Sequence, residues 1–361
     1  MIWLFLTAVL PYFFIFLSVY RNLLKIRTFK EEGISLIKVS VVVACRNEEK
    51  NLPYLLNDLS SQYYDPDLFE VIIVDDNSTD STSEVASGFN QIKCLKILSN
   101  PGRGKKSAIR TGIDAASGEL IITTDADCKM GKRWLSAISE FYSASGNEMI
   151  IAPVKLEDKP GFSGRFRELE FLSLQGITAA TAQANNPVMC NGANLAFTKN
   201  AYLRHSGNLH NEILSGDDIF LLHSLKKEPN SKIAWLSSVE AIVTTCQSDS
   251  LSSFLKQRAR WLSKAGSYND RFTRLLSIVT FVTILAIICF LISGILDQKF
   301  LIIFIISLII KSIPDYLILS ETTLRYNKRN LLKWFLPSQI VYPFYVIAVT
   351  IRSLIQGNRW E

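Results

Sequence analysis

Residues Val39–Asp80 read VSVVVACRNEEKNLPYLLNDLSSQYYDPDLFEVIIVDDNSTD, and this stretch decides the fold. Val39–Ala44 (VSVVVA) and Val71–Val74 (VIIV) are short continuous apolar runs, the pattern of strands covered on both faces. Between them, across Asn51–Ser60, Leu52, Leu55, Leu56 and Leu59 recur at helical spacing. A third run, Leu120–Thr123, follows a helix predicted over Lys105–Ala116. Strand, helix, strand, helix, strand implies an α/β domain with a mostly parallel sheet flanked by helices.

Each run ends in charge. The first leads into Ala44-Cys45-Arg46-Asn47-Glu48, the second into Asp75-Asp76-Asn77-Ser78-Thr79-Asp80, the third into Asp125-Ala126-Asp127. Open α/β sheets bind ligands outside the carboxyl ends of their strands, so the three ends are predicted to converge on one edge. Two carboxylates one residue apart, Asp125 and Asp127, can both face a hard divalent cation such as Mn2+ or Mg2+, usually shared with substrate phosphates. A lone pair of this kind also fits solvated turn aspartates; two further acidic strand ends favour the metal. Asn100–Ser107 (NPGRGKKS) puts glycines before a helix start, where backbone N–H groups can approach an anion. It lacks the GxxxxGK[ST] spacing of a Walker loop, and Lys105 is the candidate for a nucleotide or its phosphates. Ser215-Gly216-Asp217-Asp218 precedes an amphipathic helix predicted over Ile219–Leu225. One acid can cap that helix while the other accepts a proton, although capping alone accounts for both.

The ends of the chain differ in kind. The 361 residues are 20% charged, yet the mean hydropathy is +0.19 because apolar residues concentrate at both termini. Ile2–Tyr20 is long enough to span a bilayer, with Arg21, Lys25, Arg27 and Lys30 after it. No basic residue precedes it and no small-residue cleavage site follows, so a removable leader is not expected. The positive-inside rule then places the following domain in the cytoplasm. Leu275–Leu296, Phe300–Leu319 and Trp334–Ile351 read as three further spans of an integral protein of the cell (inner) membrane. In the second, Lys311 and Asp315 stand at i,i+4, compatible with mutual neutralisation or with snorkelling to the interface. Phe162–Gln175 and Phe254–Ala265 look amphipathic and suit the headgroup region, though the first also suits an ordinary surface helix. The expected order is a transmembrane helix (1–21), a basic linker (22–37), an α/β domain (38–250), an interfacial helix (251–273) and a membrane region (274–361). The net charge of +6 lies largely beside the apolar segments, which fits anionic membrane lipids as partners. No basic stripe with interleaved aromatics calls for a nucleic acid. Six scattered cysteines without CxxC spacing suit free thiols.

The order VVVACRNEEKNL, VIIVDDNSTD, GRGKKSAIRTG, TTDADC, CNGANLAF, SGDDIFL and QRARW, from Val41 to Trp261, resembles the family 2 glycosyltransferases of the GT-A fold, which include cellulose and hyaluronan synthases and ceramide glucosyltransferases. The resemblance implies a nucleotide-sugar donor, with UDP the common nucleotide and GDP open, and a divalent metal cofactor. It implies that Arg46, Glu48, Lys105 and either Asp75 or Asp76 cradle the nucleotide. Asp127 would bind the metal, with Asp125 on its ribose or metal side. Asp218 matches the general base, with Asp217 its neighbour. Asn191, Gly192 and Asn194 would line the acceptor side, and Gln257, Arg260 and Trp261 would help hold diphosphate and acceptor. Two departures stand out: GDD where many relatives carry a glutamate before the base, and Cys45-Arg46 where a tyrosine is frequent. The membrane segments point to a lipid-linked or membrane-bound glycan acceptor. A processive polysaccharide synthase, a membrane nucleotidyltransferase and a non-catalytic scaffold are the rival expectations.

Overall fold

The computed structural model describes residues 5–31, 33, 35–208, 216–264 and 270–356; Ser215 and Ala265, named above, lie outside them. The chain forms two compact units, one of Arg27–Glu157 with Met189–Cys246, the other of Met1–Ile26, Asp158–Val188 and Gln247–Glu361. This division departs from the linear order expected, because Asp158–Val188 groups with the apolar helices.

The first unit is the α/β domain. Its main sheet contains β1 (Val39–Cys45), β2 (Phe69–Asp75), β3 (Leu95–Ser99), β4 (Leu120–Asp125), β6 (Met149–Ile151), β8 (Leu195–Thr198) and β9 (Ile233–Trp235), in the order β3-β2-β1-β4-β8-β6-β9. β8 runs antiparallel to both its neighbours and the other pairs are parallel. A small sheet joins β5 (Lys129–Met130), β10 (Val243–Thr245) and β7 (Val154–Leu156). The side chains of Val41–Val43, Val71–Val74 and Leu120–Ile122 are buried, and the leucines of the helix Leu52–Ser60 are buried with them. That is why the runs carry no alternation: both faces of the central strands are covered. Sequence reading missed β3, whose residues are half-buried on the sheet edge and lack the continuous apolar signal.

Register sets the functional edge. Cys45 pairs with Asp75 across β1 and β2, and Ala44 pairs with Asp125 across β1 and β4, so the three acidic strand ends do align. The opposite end is fastened by Glu70. Its carboxylate accepts from Ser40 Oγ (2.5 Å), from Ser117 N–H and Oγ (2.6 and 2.8 Å), and pairs with Lys96 Nζ (2.7 Å). Burial alone would raise its pKa, but the Lys96, Ser40 and Ser117 donors hold it down at about 2.

The second unit is helical. Arg271–Leu296, Gln298–Arg325 and Arg329–Ile355 are long and apolar enough to cross a membrane, and Thr7–Leu23 is a shorter apolar helix. The segment expected at the headgroups, Phe162–Gln175, is instead part of a buried helix, Gly161–Gln183. Its Arg167, Glu168, Glu170 and Gln175 are all buried because each has a partner: Ser248 O and Ser163 Oγ for Arg167, Arg165 and Lys328 for Glu168, Arg258 for Glu170, Tyr326 Oη for Gln175. Charges that looked like a solvated face are internal ties. Gly176 lets the helix Gln298–Arg325 approach closely, since a Cβ there would stand 2.2 Å from Thr322 Oγ1.

Lys311 does not snorkel. It is 1% exposed at the middle of its helix, one turn from Asp315. Its Nζ pairs with Asp315 Oδ2 (2.6 Å), donates to Gln339 Oε1 (2.8 Å) and lies 4.3 Å from the Tyr342 ring centroid. Tyr12 Oη donates to the other oxygen of Asp315 at 2.6 Å, which ties in the first apolar helix. The low dielectric makes an unpaired charge here costly, so neutralisation wins over extension to water. Lys311→Met is therefore expected to cost about 3–5 kcal/mol by stranding Asp315, while Lys311→Met with Asp315→Leu recovers most of that loss. Thermal denaturation of both variants in detergent checks this; equal losses for single and double would contradict the buried pair.

Candidate active site

The loops after β1 and β2 brace each other. Asn47 N–H donates to Ser78 Oγ (3.0 Å), Asn47 Oδ1 accepts from Thr79 N–H (2.8 Å), and Glu48 N–H donates to Thr82 Oγ1 (2.8 Å). Asn47 and Asn77 both have φ of 57°, a left-handed conformation that asparagine tolerates better than other side-chain-bearing residues. Arg46 is exposed on this rim and Asp75 is half-buried, accepting from Ser78 N–H at 3.3 Å.

Asp76 has a different place. It is 4% exposed and accepts from Asn100 Nδ2 (2.6 Å) and from Gly104 N–H (2.9 and 3.0 Å to its two oxygens). These bonds close the NPGRGKKS loop and seat Gly104, at φ 86°, in front of the helix Lys105–Ala115. Of the two aspartates offered for the nucleotide, Asp76 is committed to holding this loop and Asp75 is the one left at the edge. The loop in turn delivers Lys105, whose Nζ pairs with Asp125 Oδ1. Burial would lower the Lys105 ammonium; Asp125, then Asp217 and Asp218, overcome this and hold it above its ordinary value.

Asp127 Oδ2 accepts from Thr245 Oγ1 on β10 at 3.1 Å. Burial and the charge of Asp125 push its carboxyl above the usual range. Glu48 is raised too, by burial against the Asn51 amide bond, with Asp127 and Asp125 adding to it. Carboxylates gathered this closely fit a site completed by a cation. Among the described residues no three His, Cys, Asp or Glu side chains close on a single point. Asp125 and Asp127 are oxygen donors of the kind a hard divalent ion takes, and sites of two carboxylates are ordinarily completed by substrate phosphates and water.

Asp217 and Asp218 are not caps. The helix Asp217–Leu225 starts on them, and the preceding position belongs to Gly216 at φ 92°. Asp218 Oδ2 accepts from Gly192 N–H (3.0 Å) and Oδ1 from Ile219 N–H (2.8 Å), so the carboxylate is held in a fixed orientation. The Gly192 carbonyl accepts from Thr123 Oγ1 (2.8 Å), which ties the arrangement to β4. Burial and the charge of Asp218 push Asp217 up to about 6, against Lys105. Asn191 Oδ1 caps the short turn Gly192–Asn194 through Ala193 N–H. Asn194 was expected to line an acceptor and does not: it is 0% exposed. Its amide is consumed by Trp134 Nε1 (3.0 Å), Pro153 O (2.8 Å) and Ala241 O (2.8 Å), so it frames the site from inside.

Asp125, Asp127, Lys105, Asp217, Asp218 and Glu48 thus belong to one unit and act on one another electrostatically. Gln257, Arg260 and Trp261 belong to the other unit, on the helix Leu251–Ser263. There Arg258, to which sequence reading gave no site role, is buried with Phe254 and Ala259, while Arg260 is exposed and Trp261 half-buried. All six cysteines are free thiols.

Residues 40–205 match the family model described as glycosyl transferase family 2. The chain carries a family 2 glycosyltransferase domain. That domain is similar to Glycosyltransferase AglE of Haloferax volcanii (28% identity over 188 residues, 50% of this chain and 59% of the relative). It is also similar to human dolichyl-phosphate beta-glucosyltransferase (41% over 102 residues, 25% and 31%) and to undecaprenyl-phosphate 4-deoxy-4-formamido-L-arabinose transferase of Proteus mirabilis (39% over 94 residues, 25% and 29%). The chain therefore spans 59% of one of these relatives and under a third of the other two. In fold, the mannosyltransferase PcManGT from Pyrobaculum calidifontis, solved with GDP-Man and Mn2+, matches 97% of this chain and 95% of its own with a TM-score of 0.60 at 17% identity. The domain has the GT-A fold.

The raised Asp217 gives a pH signature. A carboxyl near 6 gains its proton as pH falls through that value, weakening the negative pair with Asp218. A reaction that depends on this negative pair is expected to lose rate as pH drops from about 7 to 5, and Asp217→Asn is expected to remove that limb. A pH profile of kcat/KM for wild type and variant checks it; an unchanged acid limb in the variant would assign the limb elsewhere.

Proposed function

We propose that the protein is a membrane-embedded glycosyltransferase that passes a sugar from a nucleoside diphosphate to a lipid-linked or membrane-bound glycan acceptor. The observation that carries this reading is the convergence of Asp125, Asp127, Lys105, Asp217 and Asp218 at the carboxyl edge of the GT-A sheet. The relatives support it by their names, and the three long apolar helices support a membrane setting, with the domain on the cytoplasmic side where the basic flanks would lie.

Arg46, Glu48 and Asp75 would hold the nucleotide, with Lys105 on its phosphates. Asp127, with Asp125, would hold the divalent ion, which when bound neutralises charge on the departing diphosphate. Asp218, fixed by two backbone N–H groups, would accept the proton of an acceptor hydroxyl as that oxygen attacks the anomeric carbon from the face opposite the leaving group. The configuration would thereby invert. Asp217 would add negative charge beside Asp218, opposed by the Lys105 ammonium. UDP is the nucleotide the family resemblance favours, and the GDP-sugar bound by the structural neighbour keeps GDP on the panel.

One observation favours a second reading of the acceptor. Two of the relatives are named for lipid phosphates, whose oxygen arrives ionised and needs no base. The test is nucleoside-diphosphate release from UDP- and GDP-sugars by the full chain with membrane lipid extract. Release with one donor, with Asp218→Asn slower by ~10²–10⁴-fold, fits base-assisted attack by a hydroxyl. Release that Asp218→Asn leaves near normal points to a lipid phosphate. No release from any donor would sink the transferase reading.

A further inference from the structure

The helix Leu251–Ser263 carries Gln257, Arg260 and Trp261, and between them an arginine to which the motif assigns nothing. Arg258 is 5% exposed. Its guanidinium makes two side-by-side bonds to Glu170, Nε to Oε1 at 2.9 Å and Nη2 to Oε2 at 2.6 Å. Tyr345 Oη donates to the same Oε1 at 2.9 Å. The remaining nitrogen, Nη1, donates to Gln257 Oε1 at 3.0 Å. The guanidinium carbon lies 4.9 Å from the Phe254 ring centroid and 4.2 Å from that of Trp261. Phe254 stacks on Tyr345 at 5.4 Å, so the ion pair sits inside an aromatic box built from three helices.

Two physical points give this cluster a purpose. A buried ion pair is poor value as a stabiliser, because well-packed apolar residues of the same size often do as well. Geometry is what it supplies: the planar fork fits one carboxylate in one orientation, which a lysine cannot copy. A guanidinium also has donors only. Gln257 can meet Nη1 only with its carbonyl, and so its amide NH2 is turned away from the pair. Trp261, stacked on the same cation, has its ring plane set by it.

We infer that Arg258, clamped by Glu170 and Tyr345, is the positioning residue of the QRARW segment. It aims the Gln257 amide outward as a hydrogen-bond donor for an anionic oxygen and fixes the Trp261 indole plane. Its role in turnover rests on the sugar-transfer reading above, whereas its hold on Gln257 and Trp261 does not. Arg258 itself touches no substrate in this account and works through its two neighbours.

The experiment uses the full chain in lipid nanodiscs with Arg258→Lys and the near-isosteric Glu170→Gln. Glu168→Gln is the control: it breaks a different buried ion pair on the same helix as Glu170. The first readout needs no turnover. With 5-fluorotryptophan incorporated, the Trp261 fluorine signal is identified by its loss in Trp261→Phe. It is expected to shift and broaden in Arg258→Lys and Glu170→Gln and to stay in place in Glu168→Gln. The second readout is kinetic: with the donor that wild type turns over, kcat is expected to fall ~10²-fold in both test variants, as misplaced groups cost. KM for the donor should move less than threefold, and adding Gln257→Ala should cause little further loss. An unmoved indole signal, kcat within twofold of wild type at temperatures well below melting, or losses that multiply with Gln257→Ala would overturn the inference. A wild type that turns over no donor would fail the transferase reading alone, and the fluorine signal would still decide the positioning.

Discussion

Like-charge crowding at one edge of a sheet is the constraint around which this structure is arranged. Parallel register across β2, β1 and β4 forces Asp75 and Asp125 to the same edge, and the turn after β4 adds Asp127. The helix starting at Asp217 contributes two more carboxylates that the Lys105 ammonium feels. Part of the compensation comes from the chain. Asp76 turns its carboxylate into the Asn100–Gly104 loop, and that loop brings Lys105 onto Asp125. The rest is left over: burial first, and then the charge of neighbouring carboxylates, holds Glu48, Asp127 and Asp217 above the usual carboxylate range. The other end of the sheet shows the contrast: Glu70, also a carboxylate, is fully supplied with donors and sits at about 2.

The helical unit solves the opposite problem. There three buried charges are matched inside the protein: Lys311 by Asp315 and Gln339, Arg258 by Glu170, Glu168 by Lys328. In a medium that cannot solvate ions, pairing is the condition for keeping them, and the planar or branched partners then set geometry as well. Tyr12 reaching Asp315 shows the same logic acting between segments 303 residues apart in sequence.

The sequence was most informative where one signal had one cause. Continuous apolar runs gave β1, β2 and β4 and, through the edge rule, the alignment of their acidic ends. The helix after Gly104 and the long apolar helices were equally legible. The edge strand β3 was not, because half-burial erases both the continuous and the alternating pattern. Gly161–Gln183 was misjudged because Arg167, Glu168 and Glu170 look solvated in a one-dimensional reading, and their distant partners lie 81 to 160 residues away. The same distance effect hid the separate duties of Asp76 and Asn194, each of which is a frame residue whose donors and acceptors come from remote loops. Asp217 and Asp218 were told apart by the resemblance alone, and their physical difference needs the fold, which brings Gly192 N–H to Asp218 and leaves Asp217 raised.

The account's central claim is that this acidic edge is completed by a divalent cation together with a nucleoside diphosphate. The most direct measurement is Mn2+ binding to the full chain by calorimetry, alone and with UDP or GDP present, for wild type and Asp127→Ala. The account predicts weak binding of Mn2+ alone, binding tightened at least ~10-fold by one nucleoside diphosphate through shared phosphate oxygens, and loss of that tightening in the variant. Nucleotide binding that is equally tight in EDTA, or a variant that keeps the coupling, would contradict it.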